Sequence, residues 1–232
     1  LVEAGAEAGE HVMATSRRVE DIEDLSYAWP AQVEAAALDV CDPQAARAVV
    51  DDTLDAFGRI DVLVNNAGYG LQGGLEEVTE QEIREQFEPN VFGALWVTRA
   101  VLPVMRRQRS GHVINITSIG GIVGFPASSI YNATKFALEG VGESLAKQVA
   151  GLGIKVTNVE PGPFRTEWAG ASMVRTERRI PDYDGTVGEH RRSLDARNGQ
   201  QPGDPKRAAE AMVALSRLHE PPLHLPMGEM AF

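Results

Sequence analysis

Strand-like and helix-like segments alternate along this whole sequence, and that alternation leaves few folds open to it. Strand-length runs lie at His11–Thr15, Val33–Val40, Ile60–Val64, Gly111–Thr117 and Ile154–Val159, with a short one at Leu223–Leu225. Helix-length segments stand between them. Residues 1–9 read as the end of a helix with Gly9 as its stop, and acidic residues 19–28 form another closed by Pro30. Asp42-Pro43 is a start signal, a cap followed by proline at the first helical position, for a helix that stops at Gly58. Thr79 with Glu82 has capping-box spacing and opens a helix to about Arg109, bent near Pro89. Asp204-Pro205 starts a last helix to about His219. A chain alternating in this way builds a parallel sheet covered by helices on both faces, where strands become mostly apolar runs. The expected fold class is therefore α/β, a doubly wound, Rossmann-like parallel sheet in three layers.

At 232 residues the chain is read as one domain, 1–232, large enough for a substantial core. Residues 163–203 read as a long, polar, irregular segment, of a length usually functional or mobile. The net charge of -11 argues against nucleic acid and anionic membranes as partners. A single cysteine, Cys41, allows no internal disulfide and fits a reducing compartment. No apolar run has bilayer-spanning length, and the acidic stretch Leu1–Glu10 is not a signal peptide. The expected location is cytoplasmic. The histidines, His11, His112, His190, His219 and His224, show no metal-ligand spacing, so no metal is expected.

The chemistry concentrates between Val113 and Lys135, V-I-N-I-T-S-I-G-G-I-V-G-F-P-A-S-S-I-Y-N-A-T-K. A strand ends on Ser118, a glycine-rich loop follows, and a helix opens with Tyr131 and Lys135 four residues apart, hence on one face. Ser118 lies at the carboxyl end of its strand, where open α/β sheets bind their ligands. An ammonium beside a phenol favours the phenolate, which makes the tyrosine a usable acid or base near neutral pH.

Together with Asn65-Asn66-Ala67-Gly68, Asn90, Pro161-Gly162 and Thr166, these residues resemble the short-chain dehydrogenase/reductase family. The similarity runs from about residue 10 to 228, and Ser118 precedes Tyr131 by thirteen residues, as in the family. The resemblance implies roles for four residues. Tyr131 exchanges a proton with the substrate oxygen, and Ser118 hydrogen-bonds that oxygen. Lys135 lowers the tyrosine pKa and binds the nicotinamide ribose, and Asn90 holds a water that links Lys135 to solvent. It also implies cofactor contacts at Ser16, Arg17, Arg18, Asp39, Val40, Asn65, Gly68, Tyr131, Lys135, Pro161, Gly162 and Thr166. Arginines and no acid at Ser16-Arg17-Arg18 select NADP over NAD. The phrase Val159-Glu160-Pro161-Gly162-Pro163-Phe164-Arg165-Thr166 resembles the branch near steroid and retinol dehydrogenases, which implies an apolar ketone, aldehyde or alcohol as substrate. Residues 163–203 then correspond to the family's substrate lid. Trp168, Met173, Val174, Phe125 and Tyr69 are candidates for its apolar wall. Pairing of the helices at 79–109 and 129–150 implies a homodimer or homotetramer.

The sequence departs from the family at its front. The family's first strand and its T-G-x-x-x-G-x-G turn, which lays a diphosphate on a helix N-terminus, are not found here, and Gly5 and Gly9 do not replace them. The expectation is a chain incomplete at its N-terminus, lacking a strand between those at 11–15 and 60–64. Two other readings follow from these features. One is a non-catalytic nucleotide-binding regulator, which should have lost Tyr131, Lys135 or Ser118. The other is an inactive truncated fragment.

Overall fold

The computed structural model describes residues 1–229. The elements are, in order, α1 (Val2–Glu7), β1 (Val12–Ser16), α2 (Glu23–Ala28), β2 (Val33–Ala37), α3 (Pro43–Phe57), β3 (Val62–Asn65), β4 (Gly70–Gln72) and α4 (Glu80–Phe87). They continue as α5 (Ala94–Gln108), β5 (Gly111–Ile116), α6 (Ser129–Val149), β6 (Ile154–Pro161), β7 (Met173–Arg175), α7 (Glu189–Arg197), α8 (Pro205–Ser216) and β8 (His224–Met227). Local chemistry sets the helix ends. The Asp42 carboxylate accepts from the Gln44 and Ala45 amides ahead of Pro43, and Gly58 closes α3 at φ 74°. Thr79 and Glu82 form the reciprocal capping box of α4. A π-helical turn, Glu88–Gly93, containing Pro89, joins α4 to α5.

All ladders of the main sheet are parallel, in the order β3-β5-β6-β8, and β1 pairs β2 in a second parallel ladder. Among the described residues β1 and β3 share no ladder. The two parts meet through helices: α3 packs on α5, and Val40 lies against Gly93, whose missing Cβ would stand 2.5 Å from it.

Side-chain alternation along the strands produces the three layers. Val113 and Val156 face Met105 and Val101 of α5 and Leu145 and Val149 of α6. Their neighbours Ile114 and Val159 face Leu215 of α8 on the other side. Both faces are therefore covered, and each fully buried side chain contributes about 1.5–3 kcal/mol. This two-sided burial is the physical reason the strands read as apolar runs.

Three details differ from the sequence reading. The second strand ends at Ala37 rather than Val40, because Asp39 turns the chain by accepting from the Cys41 amide through its carboxylate (2.9 Å) and from the Asp42 amide through its carbonyl (3.0 Å). Residues 163–203 are not irregular: they hold β7, α7 and several short turns. The polar composition hid this order because its anchor is the buried Arg191–Glu77 pair, while the exposed pairs Arg175–Asp195 at 2.8 Å and Arg192–Asp184 at 2.9 Å add little. Strand β4 was also missed. Its three residues are too few to show a period, and it forms by pairing with the distant β7.

Candidate active site

The carboxyl ends of the parallel strands carry the candidate residues. Ser16 ends β1, Asp39 and Val40 follow β2, Asn65 ends β3, Ser118 follows β5 and Pro161 ends β6. At the centre, Ser118, Gly120 and Tyr131 converge. A Cβ on Gly120 would stand 2.7 Å from Asn132 Nδ2, 3.3 Å from Ser118 Oγ and 3.4 Å from the Tyr131 ring, so the packed Asn132 amide is what keeps this position glycine. Ser118 Oγ accepts from the Gly120 amide at 2.9 Å.

Tyr131 is 8% exposed, its ring lying 5.1 Å from that of Trp168. Burial pushes the phenol up to about 12, and the neighbouring Ser118 hydroxyl opposes this in part. The sequence reading expected Lys135 to lower this pKa. In the structure the Lys135 ammonium stands 5.7 Å from the Tyr131 ring centroid and donates to the Ile116 carbonyl at 2.8 Å, so desolvation prevails over the cation. Lys135 itself is pushed down to about 8 by burial, with Glu139 opposing.

Asn90 lies in the π-helical turn, 1% exposed, where its amide nitrogen donates to the Tyr69 carbonyl (3.0 Å) and to Thr134 Oγ1 (3.2 Å). Its carbonyl accepts from the Tyr69 amide at 3.0 Å. Gly68 is required beside it, since a Cβ there would stand 2.8 Å from Asn90 Oδ1. Asn90 thus ties the chain after β3 to the catalytic helix α6. Sequence reading missed a second such residue, Asn132. Its amide nitrogen donates to the Gly120 (2.6 Å) and Val123 (3.2 Å) carbonyls, and its carbonyl accepts from Phe125 (3.1 Å). It fixes the loop after Ser118 against the first turn of α6. The available signal was a polar residue between Tyr131 and Lys135, at a helix start facing the interior.

The outlying candidates divide. Arg18 is held by Asp21, with Nε–Oδ2 at 3.1 Å, whereas Arg17 is exposed and makes no ion pair among the described residues. Asn65 is 9% exposed and spends its amide nitrogen on Thr98 Oγ1 and Asn115 Oδ1, both at 2.9 Å, so it supports the sheet. The Gly162 amide donates to the Met227 carbonyl at 2.8 Å, and Thr166 Oγ1 accepts from the Trp168 amide at 3.4 Å. Trp168 and Met173 both crowd Gly70 beneath the 163–203 segment, while Phe125 stacks on His190 at 6.2 Å and Val174 is 42% exposed.

The family model described as short chain dehydrogenase matches residues 1–176. This chain belongs to the short-chain dehydrogenase family. Among its relatives, the oxidoreductase BOA17 of Botryotinia fuckeliana is 38% identical over 229 residues, covering 98% of this chain and 83% of that protein. Retinol dehydrogenase 8 of Homo sapiens is 38% identical over 200 residues, 81% of this chain and 61% of that one. A crystal structure of a short-chain dehydrogenase from Streptomyces avermitilis superposes with a TM-score of 0.90 at 45% identity, covering 99% of this chain and 84% of that one. Like its relatives this short-chain dehydrogenase is an NAD(P)-dependent oxidoreductase, and no helix among its described residues is long and apolar enough to cross a membrane.

The residues present fit a nicotinamide cofactor at both ends. One of the three Lys135 donors is spent on Ile116, which leaves two for ribose hydroxyls. At the far end, exposed Arg17 follows Ser16, the last residue of β1. Among residues 1–229, no T-G-x-x-x-G-x-G turn leads from a strand into a helix to receive the diphosphate.

Proposed function

We propose that this chain is an NADP-dependent oxidoreductase that interconverts an apolar ketone or aldehyde and the corresponding alcohol. The observation that carries this reading is the buried phenol of Tyr131 beside Ser118, with Lys135 one helical turn along. The bound nicotinamide supplies or accepts the hydride at the carbonyl carbon. The protein's task is then to meet the negative charge that develops on the oxygen. A phenol raised to about 12 is fully protonated near neutral pH and can give its proton to that oxygen. Ser118 adds a second donor, and Lys135, about 8 in this buried setting, carries charge over much of the working range and restores the phenol's proton. Asn90 and Asn132 position these groups by holding the two loops that meet α6. Trp168 and Met173 close an apolar wall over the site, which supports an apolar substrate, and the name of the retinol dehydrogenase relative supports the same class.

Arg17 supports NADP over NAD, and among the outlying residues Asp39, Val40, Pro161, Gly162 and Thr166 border the cofactor in this reading. The half-exposed Phe92 and Phe136, on the α4–α5 turn and on α6, suit pairing of two copies, and the single domain over 1–232 works in the cytoplasm. The test is NADPH oxidation against a panel of apolar carbonyl compounds. Tyr131→Phe should lower kcat about 10²–10⁴-fold, the range for a lost general acid. Ser118→Ala should lower it about 10²–10³-fold as a lost oxyanion donor. NADPH binding without turnover, unchanged in Tyr131→Phe, would instead establish a nucleotide-binding regulator.

A further inference from the structure

A chain of buried amides crosses the main sheet at a single register level. Asn65 of β3, Asn115 of β5, Asn158 of β6 and His224 of β8 are successive partners across the four strands. Asn65 donates to Asn115, Asn115 donates to Asn158 at 3.0 Å, and Asn158 donates to Glu139 Oε2 of α6 at 2.7 Å. The chain ends in two carboxylates, Glu139 and Glu160, gathered around the imidazole of His224. Nδ1 of that ring lies 2.9 Å from Glu160 Oε1 and 3.3 Å from Glu139 Oε2.

We propose that Glu139, Glu160 and His224 form a binding site for a divalent cation of the zinc class. Donor supply is the first reason. One Nδ1 cannot satisfy two carboxylates, and Glu139 Oε1 and Glu160 Oε2 are buried with no hydrogen-bond partner among the described residues. Their side chains are 10% and 0% exposed, so bulk solvent does not supply the missing donors. Charge is the second reason, since two buried carboxylates face one imidazole. A dication between the three residues balances the charge, and bidentate binding by the carboxylates would also engage Glu139 Oε1 and Glu160 Oε2.

Geometry is the third reason. One ligand atom from each residue lies within 4.8 Å of the other two. Nitrogen and oxygen ligands held tetrahedrally about 2.0–2.1 Å from zinc stand about 3.3 Å apart, close to the two imidazole–carboxylate separations. One imidazole and two carboxylates make three protein ligands, which leaves a fourth position open. The His224 side chain is 43% exposed and provides the entry path. Its other nitrogen, Nε2, lies 3.8 Å from Glu143 Oε1, on the side where metal-bound imidazoles are steadied by a carboxylate. The cation would bind β6 and β8 to α6, the helix that carries Tyr131 and Lys135. The site does not depend on the oxidoreductase reading.

The test is equilibrium dialysis of the chelator-treated full chain against zinc chloride at pH 7.5, with bound metal counted by mass spectrometry. The expected result is one zinc per chain in the micromolar range and a Tm that rises with zinc concentration. Binding should weaken at least tenfold in His224→Gln and in Glu160→Gln, and persist in His219→Gln, which alters an imidazole outside the cluster. His224→Gln sits on a half-exposed strand, and its circular dichroism should match the parent, so loss of metal cannot be ascribed to unfolding. Absence of stoichiometric zinc, or zinc retained in His224→Gln, overturns the site. NADPH turnover is not part of this readout, so the two readings fail separately.

Discussion

Gly140 and Gly142 stand two residues apart on α6, and replacing each by alanine should move stability in opposite directions. Alanine is favoured over glycine inside a helix by about 1 kcal/mol. At Gly140 the new methyl meets nothing within 4 Å, so that gain should appear nearly whole. At Gly142 it would stand 2.1 Å from Asn158 Oδ1 and 2.6 Å from its Cγ and Nδ2. Asn158 is fully buried and must withdraw. Its bond from Asn115 is then lost, about 1 kcal/mol, as is its bond to the Glu139 carboxylate, about 1.5–3 kcal/mol. Setting the helix gain against these losses leaves a net destabilisation of about 1.5–3 kcal/mol. For a chain of this size the melting temperature should fall by about 3–12 °C in Gly142→Ala, and rise by about 2–4 °C in Gly140→Ala. Differential scanning calorimetry on the two variants and the parent measures both. If Gly142→Ala melts at or above the parent temperature, the amide ladder does not constrain α6 as described.

Other substitutions test separate parts of the structure. His112 is 3% exposed and held near 4 by burial, with Lys155 adding to the shift. Thr157 Oγ1 gives its proton to the Pro222 carbonyl, so His112 Nε2 must be the donor in its 2.9 Å bond to Thr157. The unfolded chain therefore takes up a proton first, near pH 6.5, and stability should fall by about 3 kcal/mol between pH 6.5 and 4; urea titrations of His112→Asn should show a shallower fall across that window. Arg17→Ala should weaken NADPH binding about tenfold or more while leaving NADH binding nearly unchanged, and equal losses for both would remove Arg17 from the 2′-phosphate. Glu77→Gln strips the partner from Arg191, both at least nine-tenths buried, and also disturbs the bonds that Glu77 accepts from the Gly74 (2.8 Å) and Ile180 (2.9 Å) amides. Breaking a buried pair costs about 3–5 kcal/mol, so limited proteolysis should cut first within 176–191; an unchanged cleavage pattern would show that the pair does not anchor this segment.

Local chemistry alone decided much of what is seen here. Asp42-Pro43, Gly58 and the Thr79–Glu82 box mark helix ends because their effect is confined to one turn of backbone. The alternation of apolar strands with helices dictated a parallel sheet covered on two faces, because no other arrangement buries both sides of such strands. Tyr131 and Lys135 were legible because a helix fixes their relation within four residues. Tertiary structure decided the rest. The phenol rises rather than falls because it is buried by residues distant in sequence, and the ring of Trp168, thirty-seven residues away, is among its neighbours. The order within 163–203 is anchored by the buried pair of Arg191 with Glu77, which no local pattern can show. Glu139, Glu160 and His224 come from a helix and two strands and have no shared spacing. They meet because parallel pairing puts Asn158 opposite His224 and packs α6 over that point. Spacing in sequence reports only what one element holds together, whereas register and packing bring charges into one low-dielectric space.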